Sequence, residues 1–414
     1  TPNGITHLSA ASQVTLALQD GSLTQYQVDQ GVLQGLVDNG GAIIANNGAV
    51  YLTAKAKGSL SKAVINHSGI IEANRVTQNA KGEIVLLGDM QNGETHVSGI
   101  LKAEGKNGQN GGLIETSAAN VKIDDRTQVS TRSEGGKTGT WRIDPTDFTI
   151  SAGNGASGSS GIGATTLQSN LSINNVILET QAAGSGAGDI HVNAAVSWNA
   201  ATELTLKAHN NININADISA ADNNGKLHLI YGQNTANSNA NYYLNHGAKV
   251  NLKAGDNFST QKGTDAVKNY KVITALGAQG STTQTDLQGI NGNLIGNYVL
   301  GADIDAAATS GWNAGAGFNP IGNNTTNFSG ILDGLGHTIS NLTINRPSTD
   351  YVGLFGQTNG ANIRNIGLLG GSVRGQTYVG GLVGYNNSSN ISNAYTTGSV
   401  TGQHSVGGLV GYNN

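Results

Sequence analysis

The chain has no cysteine, one methionine and four prolines in 414 residues, and aromatic rings make up only 5%. Without thiols there is no disulfide, no thiolate nucleophile and no cysteine metal site. Charge is also scarce. Charged residues are 12%, about half the usual share. A net charge of −4 gives no basic field for a nucleic acid. No apolar run approaches the ~18 residues of a spanning helix. No basic-then-apolar leader stands at Thr1-Pro2-Asn3, so the sequence reads as a mature product or a cut-out piece. Glycine is in excess, 61 residues against an average share of about 7%. The glycines keep no three-residue period and proline is rare, which excludes a collagen. Low hydrophobicity is not joined to high net charge, so the composition is not that of a disordered chain.

The strongest pattern is a repeat. Tyr351-Val352-Gly353-Leu354-Phe355-Gly356 returns as Tyr378-Val379-Gly380-Gly381-Leu382-Val383-Gly384-Tyr385-Asn386. It returns again as Ser405-Val406-Gly407-Gly408-Leu409-Val410-Gly411-Tyr412-Asn413, both times 27 residues on. A fixed period of this size means stacked supersecondary units. Within each unit, short apolar or alternating runs such as Ile391 to Tyr395 and Gly398 to Gly402 are split by Gly/Asn turns. Upstream, alternating runs continue at looser spacing, for example Ala49 to Ala54, Glu83 to Leu87, Ile190 to Val196 and Ile212 to Ile218. Only Val28 to Asp38 and Ala56 to Ala63 fit a 3.6-residue period, which predicts two short helices there.

These features predict an all-β, right-handed parallel β-helix with a few short helical or hairpin insertions. Small aliphatic groups fill a narrow lumen, and glycine and asparagine supply positive φ at corners. Low charge follows from stacking, because like charges repeated at one position repel. At roughly 20–27 residues per coil the chain makes about 17 coils. The expected divisions are 1–150, 151–297 after the Gly/Ser stretch Ser151 to Gly163, and 298–414 for the 27-residue repeats.

Several segments carry a resemblance. They are Val28 to Gly31 leading into Val37 to Gly41, Gly48 to Ala56 followed by Val64 to Ala73, Gly82 to Gly88, and Gly139 to Ile150 (GTWRIDPTDFTI). Together they resemble two-partner-secretion exoproteins, the filamentous-haemagglutinin-like and high-molecular-weight adhesins. Tyr298 to Asn414 is similar to GLUG-type repeats. The resemblance implies an adhesin secreted to the bacterial cell surface, or associated with the outer membrane, after export through an outer-membrane β-barrel transporter. It also implies that the sequons at Asn66, Asn170, Asn257, Asn324, Asn327, Asn341, Asn387 and Asn390 are possible glycan acceptors, although abundant Asn, Ser and Thr produce such triplets by chance.

Catalytic signals are sparse. Asp303 and Asp305, two apart in a strand, point to one face and are the pair that could hold a cation; the blander reading is a solvated face or a turn cap. Asp333 with His337 reads as a glycine-cornered turn. Asp144 and Asp147 with Arg142, and Asp124-Asp125-Arg126, are the other acid/base clusters. No zinc, calcium-repeat, nucleophile-elbow or Walker motif is present. The sequence therefore predicts no enzyme, no cofactor and no nucleic-acid partner. It predicts a rod that presents a surface to host cells, neighbouring bacteria or matrix glycans. Tyr351, Tyr378, Tyr385, Tyr395 and Tyr412 form a candidate ladder for sugar rings, with outer-face packing as the alternative. Two other readings remain open: the stalk of a contact-dependent growth-inhibition toxin, and a polysaccharide-active β-helix enzyme.

Overall fold

A computed structural model describes residues 3–19, 22–57, 62–182, 186–233 and 239–414. The chain is all-β, with 48% strand and 6% helix, and its strands stack as the parallel coils of a β-helix. It divides into two compact units. One comprises 1–216, 226–245 and 260–267; the other comprises 217–225, 246–259 and 268–414.

In the first unit each coil contributes to two or three sheets. One runs through Ile5–Ala10, Ala49–Ala54, Glu83–Leu87, Leu113–Ser117, Thr140–Asp144, Asn175–Glu179, Glu203–Lys207 and Lys226–Tyr231, every neighbour parallel. A second includes Gln34–Asn39, Lys62–His67, Gly93–Val97 and Asn120–Ile123. A third stacks Ala42–Ile44, Ile70–Glu72, Ile100–Lys102 and Gln128–Ser130. Alternate residues point inward, so Val50, Ile84, Ile114, Trp141, Val176, Leu204 and Leu227 form one fully buried column. Each such side chain contributes about 1.5–3 kcal/mol by leaving water.

Coils meet closely enough to require glycine. A Cβ on Gly112 would sit 2.0 Å from the Gly82 carbonyl oxygen, and one on Gly139 would sit 2.2 Å from that of Gly112. Coil length differs from the sequence expectation. Ala49 lies beside Glu83, Glu83 beside Leu113, Leu113 beside Thr140 and Thr140 beside Asn175, steps of 34, 30, 27 and 35 residues. The longest of these steps contains helix α1, Ala164–Leu171, so there are fewer coils than 17.

The helix expected at Val28 to Asp38 is strand instead. Ser22–Gln30 pairs antiparallel with Gln13–Gln19 as a hairpin, and Gln34–Asn39 pairs in parallel with Lys62–His67. The pairing turns Gly35, Val37 and Asn39 inward and leaves Leu33 and Leu36 exposed, so the residues that suggested a helical face do not share one. Of the second expected helix, Ala56 bridges Val32 and Lys62 begins a strand. Its centre, residues 58–61, lies outside the described residues, as do Thr1 and Pro2.

Helix α1 was not expected. Leu167 and Leu171, four apart, bury one face, but the Gly/Ser flank hides that short pattern. The helix and the turn after it cover a sheet edge. Asn170 Oδ1 accepts from Val129 N at 3.0 Å, and Asn174 Oδ1 accepts from Thr131 N at 2.6 Å. Gln128–Ser130 is the end strand of its sheet, and without these amides Val129 N and the adjoining Thr131 N would lose their acceptors.

In the second unit, Lys268–Ile273, Asn297–Leu300, Ile331–Asp333, Asn362–Leu369 and Asn390–Thr396 stack in parallel. Thr343–Asn345, Ser372–Arg374 and Ser399–Thr401 form a second face. Phe355–Asn359, Val383–Asn387 and Val410–Asn413 form a third. Phe328 and Phe355 lie 4.7 Å apart in its core. Amides stack from coil to coil: Asn386 accepts from Thr358 at 2.7 Å and donates to Asn413 at 2.6 Å.

Candidate functional site

The 27-residue repeat brings four tyrosines together. In the middle of the three repeats Val379–Gly384 turns so tightly that a Cβ on Gly384 would stand 2.7 Å from the Tyr378 carbonyl oxygen. That turn carries Tyr385 back beside Tyr378, with ring centroids 5.2 Å apart and perpendicular. Coil stacking then adds partners. Tyr351 lies 5.0 Å from Tyr378, and Tyr385 stacks on Tyr412 at 5.1 Å and 18°. The diagonals Tyr351–Tyr385 and Tyr378–Tyr412 are 5.8 and 5.6 Å. All five contacts lie in the range of favourable aromatic pairs. Tyr351, Tyr378 and Tyr385 are half-buried and Tyr412 is exposed. Burial, the neighbouring ring of Tyr378, the Asp350 carboxylate and Tyr385 together raise the Tyr351 phenol above its ordinary value.

The backbone under this cluster is unusual. Tyr351, Tyr378 and Ser405 occupy one register of successive coils with φ of 60°, 56° and 52°. Asparagine holds eight of the thirteen other non-glycine positive-φ positions described, as its short polar side chain allows. Tyr395 does not join the other four. Its ring lies over Gly367, whose Cβ would come within 2.5 Å of it, and it is the most exposed of the five.

The acidic candidates separate. Asp303 Oδ2 accepts from Lys249 at 2.7 Å, and Oδ1 accepts from Thr338 N at 2.9 Å with His337 Nδ1 at 3.2 Å. Burial alone would raise the Asp303 carboxyl, but Lys249, the Thr338 N–H and His337 outweigh it and hold it at about 2. Asp305 accepts from Asn341 and Ala307 N instead, which lowers it. Asp333 is fully buried, accepting from Arg364 Nε at 2.7 Å, Asn365 at 2.9 Å and Leu335 N at 2.8 Å. His337 closes the adjoining Leu335-Gly336 turn, and its ring nitrogens face Asp303 and the Val250 carbonyl. Among the described residues no group of three or more His, Asp or Glu could hold a metal.

The cluster around Arg142 spans four coils. Arg142 meets Glu179 at 2.7 Å, Glu115 at 3.8 Å and Asp144 at 3.5 Å, and Lys207 meets Glu179 at 2.6 Å. Asp144 is 3% exposed. Its Oδ2 accepts from Gln181 at 2.6 Å and its Oδ1 has no protein partner. Burial and the Glu179 charge raise Asp144 to about 6. Arg142 does not reverse this, because its closest contact is with Glu179. Asp147 is not part of the cluster: its Oδ1 accepts from the N–H groups of Gly188 and Asp189. It lines a polar cavity of about 360 Å³ with Asn120, Thr149 and Ser157 to Ser160. Asp124 pairs with Arg126 at 3.7 Å on the surface. Of the sequons, Asn170 and Asn257 are buried with their amides donating to backbone carbonyls, whereas Asn324 is exposed.

The coil that holds Tyr378 and Tyr385 also carries a family match. The GLUG motif covers residues 375–401. The chain is also similar to halomucin of Haloquadratum walsbyi, 46% identical over 121 residues, which are 27% of this chain and 1% of halomucin. A putative Gly-rich membrane protein of Evansella cellulosilytica is 37% identical over 101 residues, 23% of this chain and 12% of that protein. The chain thus spans a small fraction of both relatives.

Proposed function

We propose that this chain is a segment of a secreted bacterial cell-surface adhesin that works by contact rather than catalysis. It adheres to host cells, neighbouring bacteria or extracellular polysaccharide. The observation that carries this reading is the GLUG-type coil, repeated in register and exposing a tyrosine cluster. Similarity to halomucin and to a putative Gly-rich membrane protein supports a place at the cell surface. Export through an outer-membrane β-barrel transporter suits a chain without cysteine, whose coils template one another as they fold. No described helix is long and apolar enough to cross a membrane.

The test is adherence. Beads coated with the purified chain should retain cells or matrix polysaccharide above the level of uncoated beads, and anti-chain serum should block the retention. Beads that retain nothing would reduce the segment to a spacer.

A further inference from the structure

The rings of the tyrosine cluster stand in two columns set by coil register. One column runs Tyr351, Tyr378, Ser405. The other runs Gln357, Tyr385, Tyr412. The first column has two rings followed by Ser405 and the second has Gln357 followed by two rings, so the four rings run on a slant across three coils. None of the four phenol hydroxyls bonds to another described residue, and such a hydroxyl beside an apolar ring face is equipped for a partner that offers both C–H and O–H groups. The Asp350 carboxylate next to Tyr351 bears on that ring, and it opposes an anionic partner.

Backbone strain points the same way. A left-handed conformation is costly for a bulky residue and free for glycine. Tyrosine nevertheless occupies it twice, both times in this cluster. Strain of this kind persists where it positions something used.

We propose that Tyr351, Tyr378, Tyr385 and Tyr412 form a stacking platform for an uncharged polysaccharide, bounded by Gln357 and Ser405. The proposal rests on the adhesive reading above and names its ligand class. Successive rings sit one coil apart along each column, so successive sugar units meet successive tyrosines. Each ring adds contact without requiring a specific sequence of sugars.

The experiment is affinity electrophoresis of the full chain in gels containing hydroxyethyl cellulose, with alginate as the anionic comparator. Hydroxyethyl cellulose should retard the chain and alginate should not. Y412S and Y385S should each weaken retardation about 3–10-fold, the range of one aromatic contact. Y378N places a tolerant residue at the strained position, so it should keep or raise thermal stability while losing binding. S405Y and Q357Y each extend a column and should tighten binding about 2–5-fold. Stronger retardation by alginate, unchanged retardation of Y378N, or no gain from both S405Y and Q357Y overturns the proposal. If the chain binds neither polymer while coated beads still retain cells, a protein partner replaces the polysaccharide and the adhesive reading stands. If beads also retain nothing, both fail together.

Discussion

Asp144 should make the chain less stable at neutral pH than in mild acid. Its carboxyl is buried beside Glu179, and one of its oxygens has no protein partner. Folding raises it from its ordinary value of 3.8 to about 6. A raised carboxyl favours the protonated form in the folded state. Its stabilisation is therefore fully present below about pH 4 and is lost as pH rises through about 6. A rise of that size corresponds to about 3 kcal/mol. Asp144→Asn keeps the shape and an oxygen acceptor for Gln181 but cannot ionise. Urea unfolding at pH 4 and pH 7.5 measures the effect, with midpoints compared at constant m. The variant should match the parent at pH 4 and exceed it by about 2–3 kcal/mol at pH 7.5. A variant no more stable than the parent at pH 7.5, or equally more stable at both, refutes the argument.

Other perturbations follow from the same contacts. Arg364→Ala leaves the buried Asp333 carboxylate without its cation and should cost about 3–5 kcal/mol in urea unfolding. Asn170→Ala removes the acceptor of Val129 N and should cost about 1–3 kcal/mol, with faster amide exchange at Val129. Gly112→Ala sets a methyl against the Gly82 carbonyl and should cost about 3 kcal/mol or abolish folding. His67 accepts from Asn39 and donates to the Ile100 carbonyl, and burial lowers it from 6.5. Its stabilisation is thus present above pH 6.5 and is lost on acidification. Its NMR titration midpoint should lie below 6.5, and a higher midpoint contradicts the burial argument.

The repeats were legible because coil stacking writes itself into sequence. Val352, Val379 and Val406 recur at one spacing, and the structure places them in successive coils. The tyrosines were legible as a group for the same reason. Their division into two columns was not, because it depends on the glycine turn that folds Tyr385 back onto Tyr378. Tyr395 belongs to the same repeats, yet its strand presents it over Gly367. Helix α1 escaped notice because two turns of helix carry too few apolar residues to stand out beside a Gly/Ser stretch. The strand at Gln34–Asn39 was misread because apolar residues at helical spacing lie on both faces of it. The acid clusters were misleading in another way. Residues close in sequence, such as Asp303 and Asp305, take partners from different coils, and Lys249, the cation nearest Asp303, is 54 residues away.

In-register parallel stacking can be tested directly because the chain has no native cysteine. Ser372 and Ser399 are exposed neighbours on adjacent coils, and Ser372 and Thr401 are offset by two residues. Neighbouring parallel strands lie about 4.8 Å apart, within disulfide range, whereas the offset pair is farther. Mild oxidation of S372C/S399C should give an intramolecular disulfide in nearly every molecule, read by intact mass, while S372C/T401C should remain reduced. Preferential oxidation of the offset pair, or failure of both, would contradict the stacked-coil fold on which the account depends.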